Sequence, residues 1–127
     1  LCVIDHFDEI LNRRQIQSNF YDELLEKSES KKQEIPSNCD YNYAYYPRVF
    51  RNESLALLIK EKLEEEGIFA RRYFYPSLSQ LPYTDRVNTP VADSIANSIL
   101  CLPLYHELKE EDQKRIVRII RETETAY

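Results

Sequence analysis

A chain of 127 residues supports one domain, large enough to bury a core without disulfides or metals. Hydrophobic content of 43% against 31% charged residues argues for a folded body rather than disorder. A net charge of −5 argues against a nucleic-acid scaffold with a broad basic face, although it leaves room for a local basic spot at Arg71-Arg72.

The first predicted element is a long helix. Val3, Phe7, Ile10, Leu11, Phe20, Tyr21, Leu24 and Leu25 recur at three- and four-residue steps, with a polar gap at Arg13-Arg14. No Gly or Pro interrupts before Pro36. From about Ile4 to Lys27 the helix would extend ~36 Å at ~1.5 Å per residue, more than a small domain needs. Two readings stand: an amphipathic core helix, or a connector from a domain outside this sequence. Residues 28–38 are polar and end at Pro36-Ser37-Asn38, which predicts a surface loop.

Tyr41 to Phe50 is β-prone, with Tyr41, Tyr43 and Tyr45 on one face by period two. Pro47 cannot donate to a ladder, so this strand is expected at an edge, or bulged at Pro47. Asn52 is placed as an N-cap, followed by the helical stripe Leu55, Leu58, Ile59 and Leu63. Gly67, the only glycine, is placed as a left-handed C-terminal cap with Ile68 behind it. A second strand is expected from Ile68 to Tyr75, completing a strand–helix–strand crossover. After a loop over residues 76–88, Thr89-Pro90 reads as N-cap and first helical residue, with Val91, Ile95 and Ile99 marking a short helix. Leu100 to Leu104 is a buried extended run limited by Pro103. The last helix starts near Lys109, with Glu110, Glu111 and Asp112 in its first turn, Arg115, Arg118 and Arg121 later, and Ile116, Val117, Ile119 and Ile120 buried.

The residues taken alone contain no catalytic constellation. His6 and His106 read as surface histidines. The acidic runs Glu64-Glu65-Glu66 and Glu110-Glu111-Asp112 sit at helix ends, where charge is structural. One glycine rules out a glycine-rich phosphate loop. Cys2, Cys39 and Cys101 have no zinc spacing, and an odd, unpatterned set fits a reducing cytoplasm. No apolar run approaches a membrane span and no signal peptide is visible. The lysines Lys27, Lys31, Lys32, Lys60, Lys62, Lys109 and Lys114 all lie in charged contexts, unlike a Schiff-base lysine, which needs a desolvated or cation-rich pocket. The sequence lacks methionine, so it is expected to be a piece of something longer.

What remains is Arg71, Arg72, Tyr73, Tyr75 and Tyr83. On a strand, Arg71, Tyr73 and Tyr75 would share one face, and Ala70, Arg72 and Phe74 the other. Arginine forks phosphate or carboxylate oxygens and tyrosine offers a flat ring with a hydroxyl, so the group could hold a phosphorylated or sugar-like ligand. Ion pairing to the many glutamates with ordinary aromatic packing is the structural alternative.

Gly67-Ile68, then Ala70-Arg-Arg-Tyr-Phe-Tyr-Pro-Ser-Leu78, Leu81-Pro-Tyr83, Pro90-Val-Ala-Asp93 and Ile99-Leu-Cys-Leu-Pro-Leu-Tyr105, together resemble the C-terminal part of the DegT/DnrJ/EryC1/StrS family. These are pyridoxal-phosphate-dependent nucleotide-sugar aminotransferases. Arg13-Arg14 and Phe20 to Leu25 resemble the family's long helix leaving the large domain. The resemblance implies an α+β fold: a small antiparallel sheet of about three strands packed against helices, preceded by a long N-terminal helix. It implies that residues 1–35 are a connecting helix and loop and residues 36–127 the small domain of a fold-type-I aminotransferase. It implies transfer of an amino group, usually from glutamate, to a dTDP-linked keto-deoxy sugar for lipopolysaccharide or O-antigen. With the large domain absent, the apolar face of the first helix is expected to lie uncovered and to drive association, so a homodimer is expected. Arg71, Arg72, Tyr73 and Tyr75 become substrate-binding candidates, with Arg71 behind the other three. The family's Schiff-base lysine, cofactor-ring carboxylate and most of its phosphate cup belong to the large domain, so this chain is expected to be inactive and to hold no cofactor by itself. Many relatives carry histidine where this sequence has Phe74-Tyr75 and Ser77-Leu78-Ser79, a departure pointing to a different sugar. A free-standing α+β binding module is the competing reading.

Overall fold

Local capping chemistry sets most element boundaries in the computed structural model, which describes residues 4–85 and 87–127. Expectations at Cys2 and Val3, and the Arg86 part of the 76–88 loop, lie outside the described residues. A short 3₁₀ turn at Ile4–His6 leads into α1, Phe7–Leu24. Helix α2, Glu53–Glu65, opens where the Asn52 side chain accepts the Leu55 N–H at 2.9 Å. It closes on Gly67 at φ +73°, with Ile68 N–H donating to Leu63 O at 2.8 Å and Gly67 N–H to Glu64 O at 3.0 Å. That pair of bonds is a Schellman cap. An added Cβ at Gly67 would meet nothing within 4 Å, so only the backbone conformation demands glycine there. Asn52→Ala should lower unfolding free energy by about 1 kcal/mol in denaturant melts, the usual value of an N-cap.

The sheet has three antiparallel strands: β1, Lys31–Lys32; β2, Tyr46–Val49; and β3, Ile99–Leu102, in the order β1-β2-β3. Helix α3, Pro90–Ser98, starts with proline in its first turn and runs directly into β3. Helix α4, Glu110–Ala126, ends the fold. Helix α4 packs on α1 and α2, and α2 on β3 and α3. The core joins Tyr21 and Leu25, Leu55, Ile59 and Leu63, Leu100 and Leu102, and Ile116, Val117 and Ile120. Each such side chain contributes about 1.5–3 kcal/mol on burial. The expected α+β class, the three-stranded sheet and the leading helix are all present.

Several details differ from the sequence reading. The 28–38 loop contains β1, pairing Lys31 with Val49 and Lys32 with Arg48. Two exposed lysines carry no alternation that could announce a strand. Strand β2 starts only at Tyr46, and Tyr43 takes a left-handed φ of 48°, so Tyr41, Tyr43 and Tyr45 do not form a pleated face. The strand is central rather than an edge. Phe50 N–H donates toward β3, to Ser98 O at 2.9 Å, so by period two Pro47 turns its nitrogen toward β1. There β1 has already ended, because Lys32 pairs with Arg48. Beyond Ala70 the expected strand 68–75 reduces to a single bridge, Arg71 with Cys101.

Helix stripes also face differently than expected. On α1 the buried residues are Gln17, Ser18 and Tyr21, while Phe7 and Ile16, and Ile4 in the turn before it, are exposed. The helix is held largely by polar ties. Gln17 Nε2 donates to Tyr105 O at 2.9 Å and to Leu108 O at 3.1 Å; Gln113 Nε2 donates to Gln17 O at 2.9 Å; Tyr21 OH donates to Pro103 O at 3.1 Å. On α3, Val91 and Ile95 point outward and the buried residues are Ala96 and Ser98.

Candidate functional site

The segment after Ala70 is anchored at one point. Arg71 N–H donates to Cys101 O at 3.0 Å and Cys101 N–H returns to Arg71 O at 2.7 Å. Past this bridge the alternation of faces ends, and the candidates sort into two cation–ring pairs. The exposed Arg71 guanidinium lies 5.6 Å from the Tyr73 ring centre and donates to the Tyr73 hydroxyl. The Tyr73 ring meets Tyr45 edge-on at 5.3 Å and stacks on Phe74, also at 5.3 Å. Arg72 lies only 3.6 Å from the Tyr75 ring centre. Its Nη2 donates to Glu53 Oε1 at 2.8 Å and Asn97 O at 2.9 Å, tying the segment to α2 and α3.

Arg72 therefore sits behind and Arg71 stands at the surface, the reverse of the expected order. The four candidates are neighbours, but Tyr75 joins Arg72 rather than the Arg71–Tyr73 side. Tyr83 is exposed on the following loop and makes no contact with them among the described hydrogen bonds and ring pairs.

A hydroxyl clasp holds the next loop. Asp93 Oδ1 accepts from Ser77 Oγ, from Ser79 Oγ at 2.9 Å and from Thr89 Oγ1 at 3.3 Å. These donors, Ser77 first, hold the Asp93 carboxyl below its ordinary value. The clasp fixes the loop that follows Tyr75 against the N-terminal turn of α3. Phe74, Leu78 and Ile95 line an apolar groove of about 400 Å³ beside it. Asp93 was not legible as a site residue, since three hydroxyls separated by up to 12 positions announce no pattern.

On the other side of Arg71 lies a cleft of about 780 Å³. Its walls are Arg14 of α1, Tyr45, the α2 cap from Glu66 to Phe69, Arg71 and Tyr73, the turn from Pro103 to Tyr105, and Asp112 and Arg115 of α4. Arg115 is paired with Glu66, whose carboxyl that hydrogen bond holds low. The polar gap at Arg13-Arg14 was the one sequence signal for this cleft: Arg13 Nε reaches His106 O at 3.4 Å and Arg14 turns into the cleft.

The chain's lysines do not fit a Schiff-base site. All are exposed except Lys60, which is half-buried and paired with Glu64. Lys62 is held above its ordinary value by Glu65, opposite to an activated amine. His6 and His106 are exposed and approach Glu9 at 3.4 and 3.9 Å. Among the described residues no helix is long and apolar enough to cross a membrane.

The model of the DegT/DnrJ/EryC1/StrS aminotransferase family matches residues 1–121. A dTDP-4-amino-4,6-dideoxy-D-glucose transaminase of Escherichia coli is 30% identical over 135 residues, covering 94% of this chain and 35% of its own length. The Shigella dysenteriae protein of the same name is 32% identical, covering 96% and 35%. A chain assigned as a sugar aminotransferase from Streptococcus pneumoniae, in its PLP form, superposes with a TM-score of 0.85 at 20% identity, covering 97% of this chain and 33% of that one. The chain thus spans about a third of the length of the curated relatives it matches.

Proposed function

This chain belongs to the DegT/DnrJ/EryC1/StrS aminotransferase family, and from that we propose that it is the small-domain part of a nucleotide-sugar aminotransferase. The whole enzyme moves an amino group from glutamate to a keto-deoxy sugar on dTDP, for lipopolysaccharide or O-antigen, as a cytoplasmic homodimer. The observation that carries this reading is similarity along 94–96% of the chain to transaminases named for a dTDP amino-dideoxy sugar. Residues 1–35 are the connector, whose Tyr21, Leu25 and β1 also pack into the core and sheet of the small domain, residues 36–127. The exposed Phe7 and Ile16 on the leading helix, and Ile4 in the turn before it, support a connector that packs on further protein.

Pyridoxal phosphate supplies the amine-transfer chemistry when bound to the whole enzyme, and the protein orients it. This chain's part is substrate contact and closure. Arg71 and Tyr73 are placed to meet the ligand. Arg72, tied to Glu53 and Asn97, orients Tyr75 beneath its guanidinium. The chain alone is inactive, because none of its lysines sits where an imine would be favoured.

The test is to assay the complete product of the encoding gene with glutamate against a panel of dTDP- and UDP-keto sugars. Amination of a dTDP-keto sugar is expected; no turnover across the panel refutes the reading. The 127-residue chain, treated with pyridoxal phosphate and borohydride, should show no specific adduct by mass spectrometry. A stoichiometric adduct on one lysine, or a stand-alone ligand-binding activity with no transamination by the complete product, favours an independent module.

A further inference from the structure

We propose that Asp93, acting through Ser77, Ser79 and Thr89, is a positioning residue for the substrate-facing turn from Tyr73 to Tyr75. That the turn meets the keto sugar rests on the function proposed above; the hold of Asp93 on the turn rests on the geometry.

The turn has no backbone framework of its own. Strand pairing stops at the Arg71–Cys101 bridge, and residues 72–76 make no backbone–backbone hydrogen bond among the described residues. Its shape therefore rests on side-chain ties at its two ends, and both ends reach α3. At the near end Arg72 Nη2 donates to Asn97 O at 2.9 Å. At the far end Ser77 Oγ and Ser79 Oγ converge on Asp93 Oδ1, the second at 2.9 Å. Asp93 and Asn97 lie about one helical turn apart, about 6 Å along the axis, so one short stretch of α3 brackets the turn.

Thr89 separates this role from ordinary helix capping. It stands at the N-cap of α3, where a threonine hydroxyl normally accepts a backbone N–H of the first turn. It makes no such bond. Its hydroxyl donates to Ser79 Oγ at 2.7 Å and lies 3.3 Å from Asp93 Oδ1. The cap residue is thus committed to the loop rather than to the helix, a broken local rule of the kind found at functional sites. Ser77 Oγ lies 3.1 Å from Ser79 Oγ, which closes the cluster of three hydroxyls around one carboxylate oxygen. These donors hold the Asp93 carboxyl below its ordinary value and so keep it an ionised, acceptor-only centre at neutral pH. Ser77 is buried and only two residues past Tyr75, so a shift of the cluster passes directly to the ring that packs on Arg72.

The experiment has two arms, with Asp93→Ala, Asp93→Asn and Ser79→Ala as variants. Glu110→Ala is the control, since it removes a first-turn carboxylate from α4 instead. In the isotope-labelled chain, Asp93→Ala should lower the amide order parameters of Tyr73, Phe74 and Tyr75 from about 0.85 to below about 0.6, with α4 unchanged. In the complete gene product, Asp93→Ala should lower kcat/KM for a dTDP-keto sugar about tenfold. The value for glutamate, which reports the other half of a ping-pong reaction, should stay within about twofold. Asp93→Asn keeps an acceptor oxygen without the charge and should cost only about threefold. Ser79→Ala added to Asp93→Ala should cost little more, because the two act as one unit. A turn that stays ordered in Asp93→Ala, equal losses for both substrates, or Asn as damaging as Ala overturns the proposal. A disordered turn with unchanged kcat/KM for the sugar overturns the substrate role and leaves the aminotransferase reading intact. No transamination by the unmodified enzyme refutes that reading and the substrate role with it, while the order parameters still decide whether Asp93 holds the turn.

Discussion

Raising the pH above 10.0 should unfold the protein steeply, because two tyrosines are buried where their phenolates are disfavoured. Tyr21 is fully buried, and its hydroxyl is pushed up chiefly by burial, then by Tyr46, Tyr105 and Asp112. Tyr46 stacks on Tyr21 at 4.7 Å and is pushed up by burial and by donating to Asp22 Oδ1 at 2.7 Å, with Arg48 opposing. Both folded values lie above the ordinary 10.0, so the folded state binds the extra protons. Their stabilisation is therefore complete below pH 10.0 and is lost as pH climbs from there toward the folded values. Each group costs about 1.4 kcal/mol per pH unit in that window, or about 3 kcal/mol for the pair. Two to three units remove about 6–9 kcal/mol, most of a total of about 5–15 kcal/mol and all of it at the lower end. Urea melts stepped from pH 9 upward, with phenolate absorbance followed in parallel, should show the two losses together. Tyr46→Phe should flatten the slope by one tyrosine. Stability that stays level for about two units above the phenol value would show that these rings titrate freely in the fold.

Leu100→Ala should lower unfolding free energy by about 3 kcal/mol. Leu100 is fully buried in β3, opposite Arg48 and next to Cys101, the residue that anchors Arg71. Its deletion leaves a cavity between the sheet and α2, which close-packed neighbours fill only in part. A thermal midpoint lower by about 10 °C is expected for a chain of this size. The Arg71 amide should also lose protection from hydrogen exchange faster than α4 amides, since its acceptor is the carbonyl of the adjacent residue, Cys101. Val91→Ala is the matched control: Val91 is 71% exposed and its truncation should fall within about 0.5 kcal/mol of zero. A loss at Val91 comparable to that at Leu100 would mean that α3 turns its other face to the core.

That contrast shows where the sequence was readable. Asn52, Gly67 and Pro90 act through their own backbone or a bond three residues away, so their roles follow from local order alone. The α4 stripe and the run at Leu100 are apolar enough to be buried under any packing. Val91 and Ile95 show the limit: periodicity marks an apolar face, but not which neighbour covers it. Strand β1 is two charged residues long and exists because β2 offers an edge, not because Lys31 and Lys32 prefer one. At the candidate site the residue types were legible and their pairing was not. Alternation assigned Tyr75 to Arg71, but the single bridge at Arg71 leaves the following residues free to follow side-chain contacts, and Tyr75 packs on Arg72. Asp93 acts across 16 positions of chain from Ser77, which no spacing rule connects.

The end of β1 has one more consequence. An unpaired strand edge is a template on which other chains can aggregate. Here the outer strand is two residues long and both are exposed lysines, so an incoming strand meets like charge and little backbone to grip. Past it, Pro47 presents no donor on that side of β2. On the far side of the sheet, the Arg71 bridge occupies Cys101 of β3. The β1 flank thus offers little to fibril-type growth, while on the β3 flank the Arg71 bridge covers one position.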